Sequence, residues 1–314
     1  MRIGVVTPAY DVAPWIATAI DSVRAQTHAD WRMAVVDDGS RDGTGEIVEG
    51  VRDERLTLLR QANAGVSAAR NRGMAAVAGC DAVVFLDADD WLAPDALARL
   101  AATLAATPDA VAAYGAFAFV PEAARPGDPP VRVKAGPFPD GDILRRLLVE
   151  NLFANGGHML VRGDAIARAG AFRADIRFGE DWEYWIRLAL LGPFATVPGD
   201  APLLYVRQRS TGAYLRMATD PDAFRPVMAA VFGNPAVRAA LGPDADGVRR
   251  RTEAENDWIM GRELIRHGRA AEGRTRLARS LRAAPSPRRA LLLAAALAQP
   301  VLPAALHGPF RRYG

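Results

Sequence analysis

The chain has 314 residues, of which 50% are hydrophobic and 24% charged; that is enough apolar material for a large core, so a folded globular protein is expected. A net charge of +3 is modest for this size, and no nucleic-acid partner is expected. A single cysteine, Cys80, excludes an internal disulfide framework, and MRIGVVTPAY runs straight into a strand pattern with no signal-peptide layout, so the cytoplasm is the expected compartment.

Short apolar runs then alternate with segments of helical period. Ile3 to Thr7, Met33 to Asp37, Leu56 to Leu59 and Ala82 to Leu86 are continuous rather than alternating, as strands buried on both faces are. Between them, Ile16, Ile20 and Val23 mark a first helix. Ile47, Val48 and Val51 mark a second, and Val66, Ala69, Ala76 and Val77 a third. This order predicts an α/β fold, a mostly parallel sheet between helices, whose ligands bind beyond the carboxyl ends of the strands. Pro94 opens a further helix striped by Leu97, Leu100 and Leu104, and Pro121 to Pro139 reads as one long loop. A helix over Ile143 to Val149, a strand over Met159 to Val161 and a helix from about Trp182 to Leu191 follow. After Pro221 the pattern is helical, which divides the chain into residues 1–217 and a helical appendage, 218–314, with the boundary near Met217 to Asp222.

The polar residues of interest fall at strand ends. FLDADDW, Phe85 to Trp91, gathers Asp87, Asp89 and Asp90 where a buried strand stops, a repulsive cluster unless a cation sits among them; alternatively it is an acidic helix start with Asp90 as cap. VVDDGSRDGT places Asp37 and Asp38 before a turn and a helix, where they either cap that helix or accept a hydrogen bond from a base. Arg70 lies early in the helix after NAGVSAAR, where a cation is unfavourable without an anionic partner; Arg72 reads as a solvated surface residue. GEDWEYWIRL opens a helix on Glu180, Asp181 and Glu183, which complement the helix dipole. Trp182 and Trp185 flank Asp181 and offer an apolar wall or a sugar platform.

Taken in order, VVTPAYDVAPWIATAIDSVRAQTHADWRMAVVDDGSRDGT, NAGVSAARNRG, FLDADDWLAPDAL and GEDWEYWIRL resemble the inverting family 2 glycosyltransferases of the glycosyltransferase A fold, over roughly Arg2 to Arg209. The resemblance implies an N-terminal half that binds a nucleotide-diphosphate sugar (UDP-, dTDP- or GDP-linked) and a second half that builds the site for a glycan or lipid-linked acceptor. It implies a divalent ion, Mg²⁺ or Mn²⁺, on Asp89, with Asp87 facing either the ribose of the donor or the metal, and Asp90 positioning the sugar. By the same resemblance Pro8, Ala9 and Tyr10 flank the base, Asp38 reads it, Arg70 meets the diphosphate, and Asp181 is the catalytic base. Glu180, Trp182 and His158 stand near the expected acceptor site. Where the family often has a histidine after the last strand, LLYVRQRSTG has Arg207 and Arg209, so Arg209 is a further donor-binding candidate. A sugar nucleotidyltransferase would need a glycine-rich N-terminal loop that GVVTPAYD lacks, and a catalytically silent binding module would have no need of Asp87, Asp89 and Asp181 together.

The tail is the basic part. From Arg274 to Gly314 it carries eight arginines and no Asp or Glu. Ala290 to Leu306 is uncharged but short for a spanning helix and broken by Pro300 and Pro303. Two expectations follow: a contact with anionic lipid at the inner face of the membrane, or a helical element packed on protein.

Overall fold

Four strands, the first, second and fourth buried and the third a half-exposed sheet edge rather than the doubly buried strand expected, organise the N-terminal half of the computed structural model, which describes residues 1–209, 220 and 222–298. They are β1 (Ile3–Ala9), β2 (Trp31–Asp37), β3 (Leu56–Arg60) and β4 (Ala82–Phe85). All three pairings among them are parallel, with Ile3 opposite both Trp31 and Ala82. The crossovers are α1 (Ile16–Arg24), α2 (Thr44–Glu49) and α3 (Val66–Ala76). Helix α3 lies very close to β1: a Cβ on Gly73 would stand 2.4 Å from Val6 Cγ1, so only glycine allows this packing.

The next elements are β5 (Trp91–Leu92), α4 (Ala96–Ala106), β6 (Ala112–Tyr114), β7 (Phe117–Pro121) and β8 (Arg132–Lys134). Then come α5 (Leu144–Val149), β9 (Met159–Arg162), α6 (Gly163–Ala169), α7 (Glu180–Ala189), β10 (Phe194–Thr196) and β11 (Leu204–Gln208). Among the described residues the main sheet has seven strands in the order β10-β6-β9-β4-β1-β2-β3, antiparallel only at β9. A second, four-stranded sheet has the order β5-β11-β7-β8. The expected mostly parallel α/β architecture is present, with two further differences in detail. The segment from Pro121 to Pro139 is not all loop, because Arg132–Lys134 pairs antiparallel with Phe117–Phe119. The helix after Pro94 starts at Ala96, with Asp95 at its cap position.

Two compact units emerge: residues 1–144 with 152–208, and residues 145–151 with 209–314. The second is helical, with α8 (Arg225–Gly233), α9 (Pro235–Leu241), α10 (Ala245–Arg266), α11 (Ala270–Ala283) and α12 (Pro287–Ala298). Its small core holds Trp258, Ile265, Leu277, Leu292 and Ala296. Most of the expected boundary at Met217 to Asp222, and the tail beyond Ala298, lie outside the described residues. No described helix is long and apolar enough to cross a membrane.

Candidate functional site

The loops after β1 and β2 are laced together. Asp11 adopts a left-handed conformation with φ 48°, rare outside glycine, and is held there from the neighbouring loop. Its N–H donates to Ser40 Oγ at 3.1 Å, and its Oδ1 accepts from the Arg41 N–H at 2.8 Å. Val12 N–H donates to Thr44 Oγ1 and Ala13 N–H to Asp42 Oδ2. Ala9 is buried and Pro8 half-buried, while Tyr10, on this braced turn, is 49% exposed, an aromatic ring offered to solvent. Asp37 Oδ1 accepts from the Ser40 N–H. Asp38 is buried and accepts from Gln61 Nε2 at 2.7 Å and from the Ala64 and Gly65 N–H groups at 2.8 Å each. Three of its acceptor positions are thus taken by the loop before α3. Asp38 fixes that loop, with one acceptor position left over.

The acid loop joins the two sheets, leaving β4 at Phe85 and entering β5 at Trp91, and it closes as a turn with the Asp90 N–H on the Asp87 carbonyl at 3.1 Å. Asp87 and Asp89 are partly exposed. Asp90 is buried and does not cap α4: its Oδ2 accepts from Asn155 Nδ2 at 2.6 Å and its Oδ1 from the Arg207 N–H at 2.8 Å. Burial, and then the charges of Asp89 and Asp87, push its carboxyl well above the usual range. With one hydrogen bond on each oxygen, Asp90 frames the loop.

Arg70 connects this loop to α7. It is 4% exposed, with Nη2 3.1 Å from Asp87 Oδ1 and Nη1 2.9 Å from Glu180 Oε1. Burial alone would lower its pKa, but Asp87, Glu180 and Asp181 outweigh it and hold the guanidinium firmly charged. The expected partner of Arg70 was a diphosphate; in this structure both ends of its fork hold carboxylates, and Glu180 is correspondingly committed to Arg70. Asp181, next along, is half-buried, with Oδ1 2.6 Å from the Trp182 N–H. Desolvation first, and Glu180 second, push it up to about 7 against the pull of Arg70. A carboxylate so poised can take a proton near neutral pH.

Two acceptor candidates change character. Trp182 is 5% exposed and Trp185 fully buried, so neither offers a face to a sugar. His158 is fully buried among Tyr114, Phe117 and Phe153, with Nδ1 2.8 Å from the Gly115 carbonyl and Nε2 3.3 Å from the Ala154 N–H. Burial drives its pKa down to about 4. It is a neutral core histidine with both nitrogens used, which withdraws it from the acceptor set. Arg72 is exposed and donates to the Arg60 carbonyl at 2.7 Å. Arg209 follows β11 and is grouped with the second unit.

The structure thus brings together Arg70, Asp87, Glu180 and Asp181, and beside them Asp89 and Asp90. It adds Asn155, which no sequence motif singled out, and gives Arg207 a role as an anchor. Among the described residues no group of three or more His, Cys, Asp or Glu side chains could cage an ion. The acid loop offers instead Asp87 and Asp89, hard oxygen donors reached by solvent and close enough to raise the pKa of Asp90. That set fits Mg²⁺ or Mn²⁺ bound by one or two carboxylates that takes its remaining oxygens from phosphates and water.

An open, mostly parallel sheet with an acid loop at its β4 end is the architecture of glycosyltransferase A enzymes. Crystal structures bear out the fold: TarS of S. aureus (residues 1–349, with UDP) superposes with a TM-score of 0.57 at 19% identity, over 98% of this chain and 89% of that one. The mannosyltransferase PcManGT of Pyrobaculum calidifontis, with GDP-Man and Mn²⁺, gives 0.60 at 21% identity, over 98% and 84%. The profile of glycosyl transferase family 2 matches residues 4–166, and the chain belongs to that family. Among curated relatives, the glycosyltransferase GlyA of Streptococcus pneumoniae is 40% identical over 96 residues, which is 30% of this chain and only 14% of that relative's length.

Proposed function

We propose that the protein transfers one sugar from a nucleotide-diphosphate donor to an acceptor hydroxyl with inversion at the anomeric carbon, in the synthesis of a surface polysaccharide or lipid-linked glycan. The observation that carries this reading is the Asp87–Arg70–Glu180 chain, which links the acid loop to the first turn of α7, where Asp181 lies. The donor complexes formed by TarS with UDP and by PcManGT with GDP-Man and Mn²⁺ support the donor class. Tyr10, exposed on its braced turn, would flank the base together with Pro8 and Ala9. Asp89 and Asp87 would hold a divalent ion, which supplies charge stabilisation for the departing diphosphate.

In the transfer the acceptor oxygen forms the new bond to the anomeric carbon as the bond to the diphosphate breaks, and the electron pair leaves with the diphosphate. The acceptor proton passes to Asp181, which must be ionised at the start. Glu180 and Arg70 set the charge around it. The machinery is assigned to residues 1–217 and the helical appendage to 218–314. In that appendage Leu291 and Leu297 of α12 are 74% and 60% exposed, in a stretch free of acids. A peripheral contact with anionic lipid follows as the setting in which a lipid-linked acceptor is met.

Asp181→Asn tests the reading: it keeps the shape and removes the basicity. Turnover should fall by roughly 10²–10⁴-fold while donor affinity, followed by thermal shift with UDP, dTDP or GDP and Mn²⁺, is retained. Near-normal turnover would overturn the assignment of the base.

A further inference from the structure

The acid loop is gripped from behind by residues that carry no proposed ligand role. Arg207 is 7% exposed, with Nε 2.9 Å from the Asp89 carbonyl. Its Nη1 reaches the carbonyls of Glu122 and of Ala124, the latter at 2.8 Å. Its backbone N–H is the donor to Asp90 Oδ1. The guanidinium lies 5.0 Å above the Trp91 ring, which in turn stacks on Tyr205 at 5.4 Å. On the other side Asn155, 5% exposed, donates to Asp90 Oδ2 and accepts the Gly157 N–H on its own Oδ1 at 2.8 Å. Asp90 is therefore pinned between β11 and the turn before β9, and the Asp89 peptide is pinned by the same arginine that ties down the chain just after β7.

We propose that Arg207, Asn155 and Asp90 form a clamp that positions Asp87 and Asp89 for the divalent ion, with Arg207 as a positioning residue rather than an anion-binding one. The inference rests on the glycosyltransferase reading above. One contact, from Arg207 Nε to the Asp89 carbonyl, fixes the backbone between the ligand carboxylates, and two more hold the Asp90 side chain that follows it. A guanidinium suits this task because its planar fork reaches several carbonyls at once, which a lysine ammonium on a flexible stem does not reproduce. Asp90, 2% exposed and held by Arg207 and Asn155, is kept out of solvent, which leaves the ion to its two partly exposed neighbours. Outer partners of this kind are as decisive for a metal site as the ligands they orient, and their loss costs about 10–100-fold in metal affinity or activity.

Direct Mn²⁺ binding to the full chain, read from the loss of the free-ion electron paramagnetic resonance signal, provides the test, in the presence of UDP, dTDP or GDP in turn. Arg207→Lys and Asn155→Ala should each weaken Mn²⁺ binding by about 10–100-fold, and turnover should recover at saturating Mn²⁺. Because both changes alter buried side chains on which folding also depends, a reciprocal exchange decides independently. Asp90→Asn combined with Asn155→Asp preserves every hydrogen bond of the pair, since the amide at position 90 donates to the carboxylate at position 155, which still accepts the Gly157 N–H. The exchange should restore most of the Mn²⁺ affinity that Asp90→Asn alone loses. An exchange that binds no better than Asp90→Asn alone would show that the Asp90 carboxylate itself is needed, and the clamp would be refuted while the transferase reading stands. Wild-type affinity in Arg207→Lys would refute it equally. A wild-type chain that binds no Mn²⁺ with any of the three nucleotides overturns the metal reading and the clamp together.

Discussion

Asp37, Asp38 and Asp42, in the loop after β2, meet neutral donors: backbone N–H groups, hydroxyls and the Gln61 amide. Asp87, Glu180 and Asp181, on the acid loop and α7, share the influence of one guanidinium. The first arrangement satisfies its lone pairs without any balance of charge and holds two loops in register. The second has more carboxylates than cations around one buried guanidinium, so the imbalance must be met by a proton or an incoming cation, and Asp181 is the group raised toward taking the proton. Neutral donors build the frame; the underbalanced cluster is where chemistry is poised.

The comparison breaks most severely at Arg70. Arg70→Met would leave Glu180 and Asp87 without their partner in a site where Arg70 itself is 4% exposed. Removing one member of a buried ion pair costs about 3–5 kcal/mol, and the partial exposure of Asp87 puts the expected loss at the lower end. Urea denaturation at pH 7.5 should report it as a lower midpoint with an unchanged slope. A loss confined to activity, with the midpoint unmoved, would mean that the guanidinium serves the ligand and not the frame.

In the neutral region the effect is smaller. Asp38→Ala would strip acceptors from the Gln61 amide and the Ala64 and Gly65 N–H groups, at about 1–3 kcal/mol for buried donors left unmet. Hydrogen exchange at Ala64 and Gly65 should accelerate more than exchange in β1. Equal protection in the variant would show that water takes over the carboxylate's place.

These two regions also differ in how far the sequence disclosed them. β1, β2 and β4 are buried almost throughout and appear as continuous apolar runs, whereas β3, at the sheet edge with no buried residue, was marked by Leu56, Leu58 and Leu59; the existence and order of all four were legible, with ends shifted by one or two residues. β6 and β10 have three residues each, and Ala112 and Ala113 have no strand preference of their own. β8 is wholly exposed within a Pro/Gly-rich stretch and so has no apolar pattern to read. The motifs located Asp87, Asp89, Arg70 and Asp181, because strand ends and helix starts are fixed by local pattern. They could not say which groups were already engaged: Asp38, Asp90 and the Nδ1 of His158 find partners 23 to 117 residues away in the chain. Asn155 had no signal at all, since a lone asparagine in a glycine-rich segment reads as a turn residue.

The gentlest test of the comparison is pH, where the underbalanced cluster should move and be movable. Asp181 is raised to about 7 from the ordinary aspartate value of 3.8, by desolvation first and Glu180 next. The folded protein therefore holds a proton there that the unfolded chain has released, so this group's contribution to stability is present at low pH and is lost as pH rises through about 7. Activity has the opposite slope, because a base must be ionised to act. kcat/KM should fall about tenfold per unit below pH 7 and level off above it, an effect of about 1.4 kcal/mol per unit. Glu180→Gln removes a charge that raises Asp181 and leaves the Arg70 attraction less opposed, so the acid limb should shift to lower pH; Asp181→Asn should flatten it. A limb that stays in place in Glu180→Gln would assign the titration to another group, and the excess of negative charge beside Asp181 would no longer explain how it is tuned.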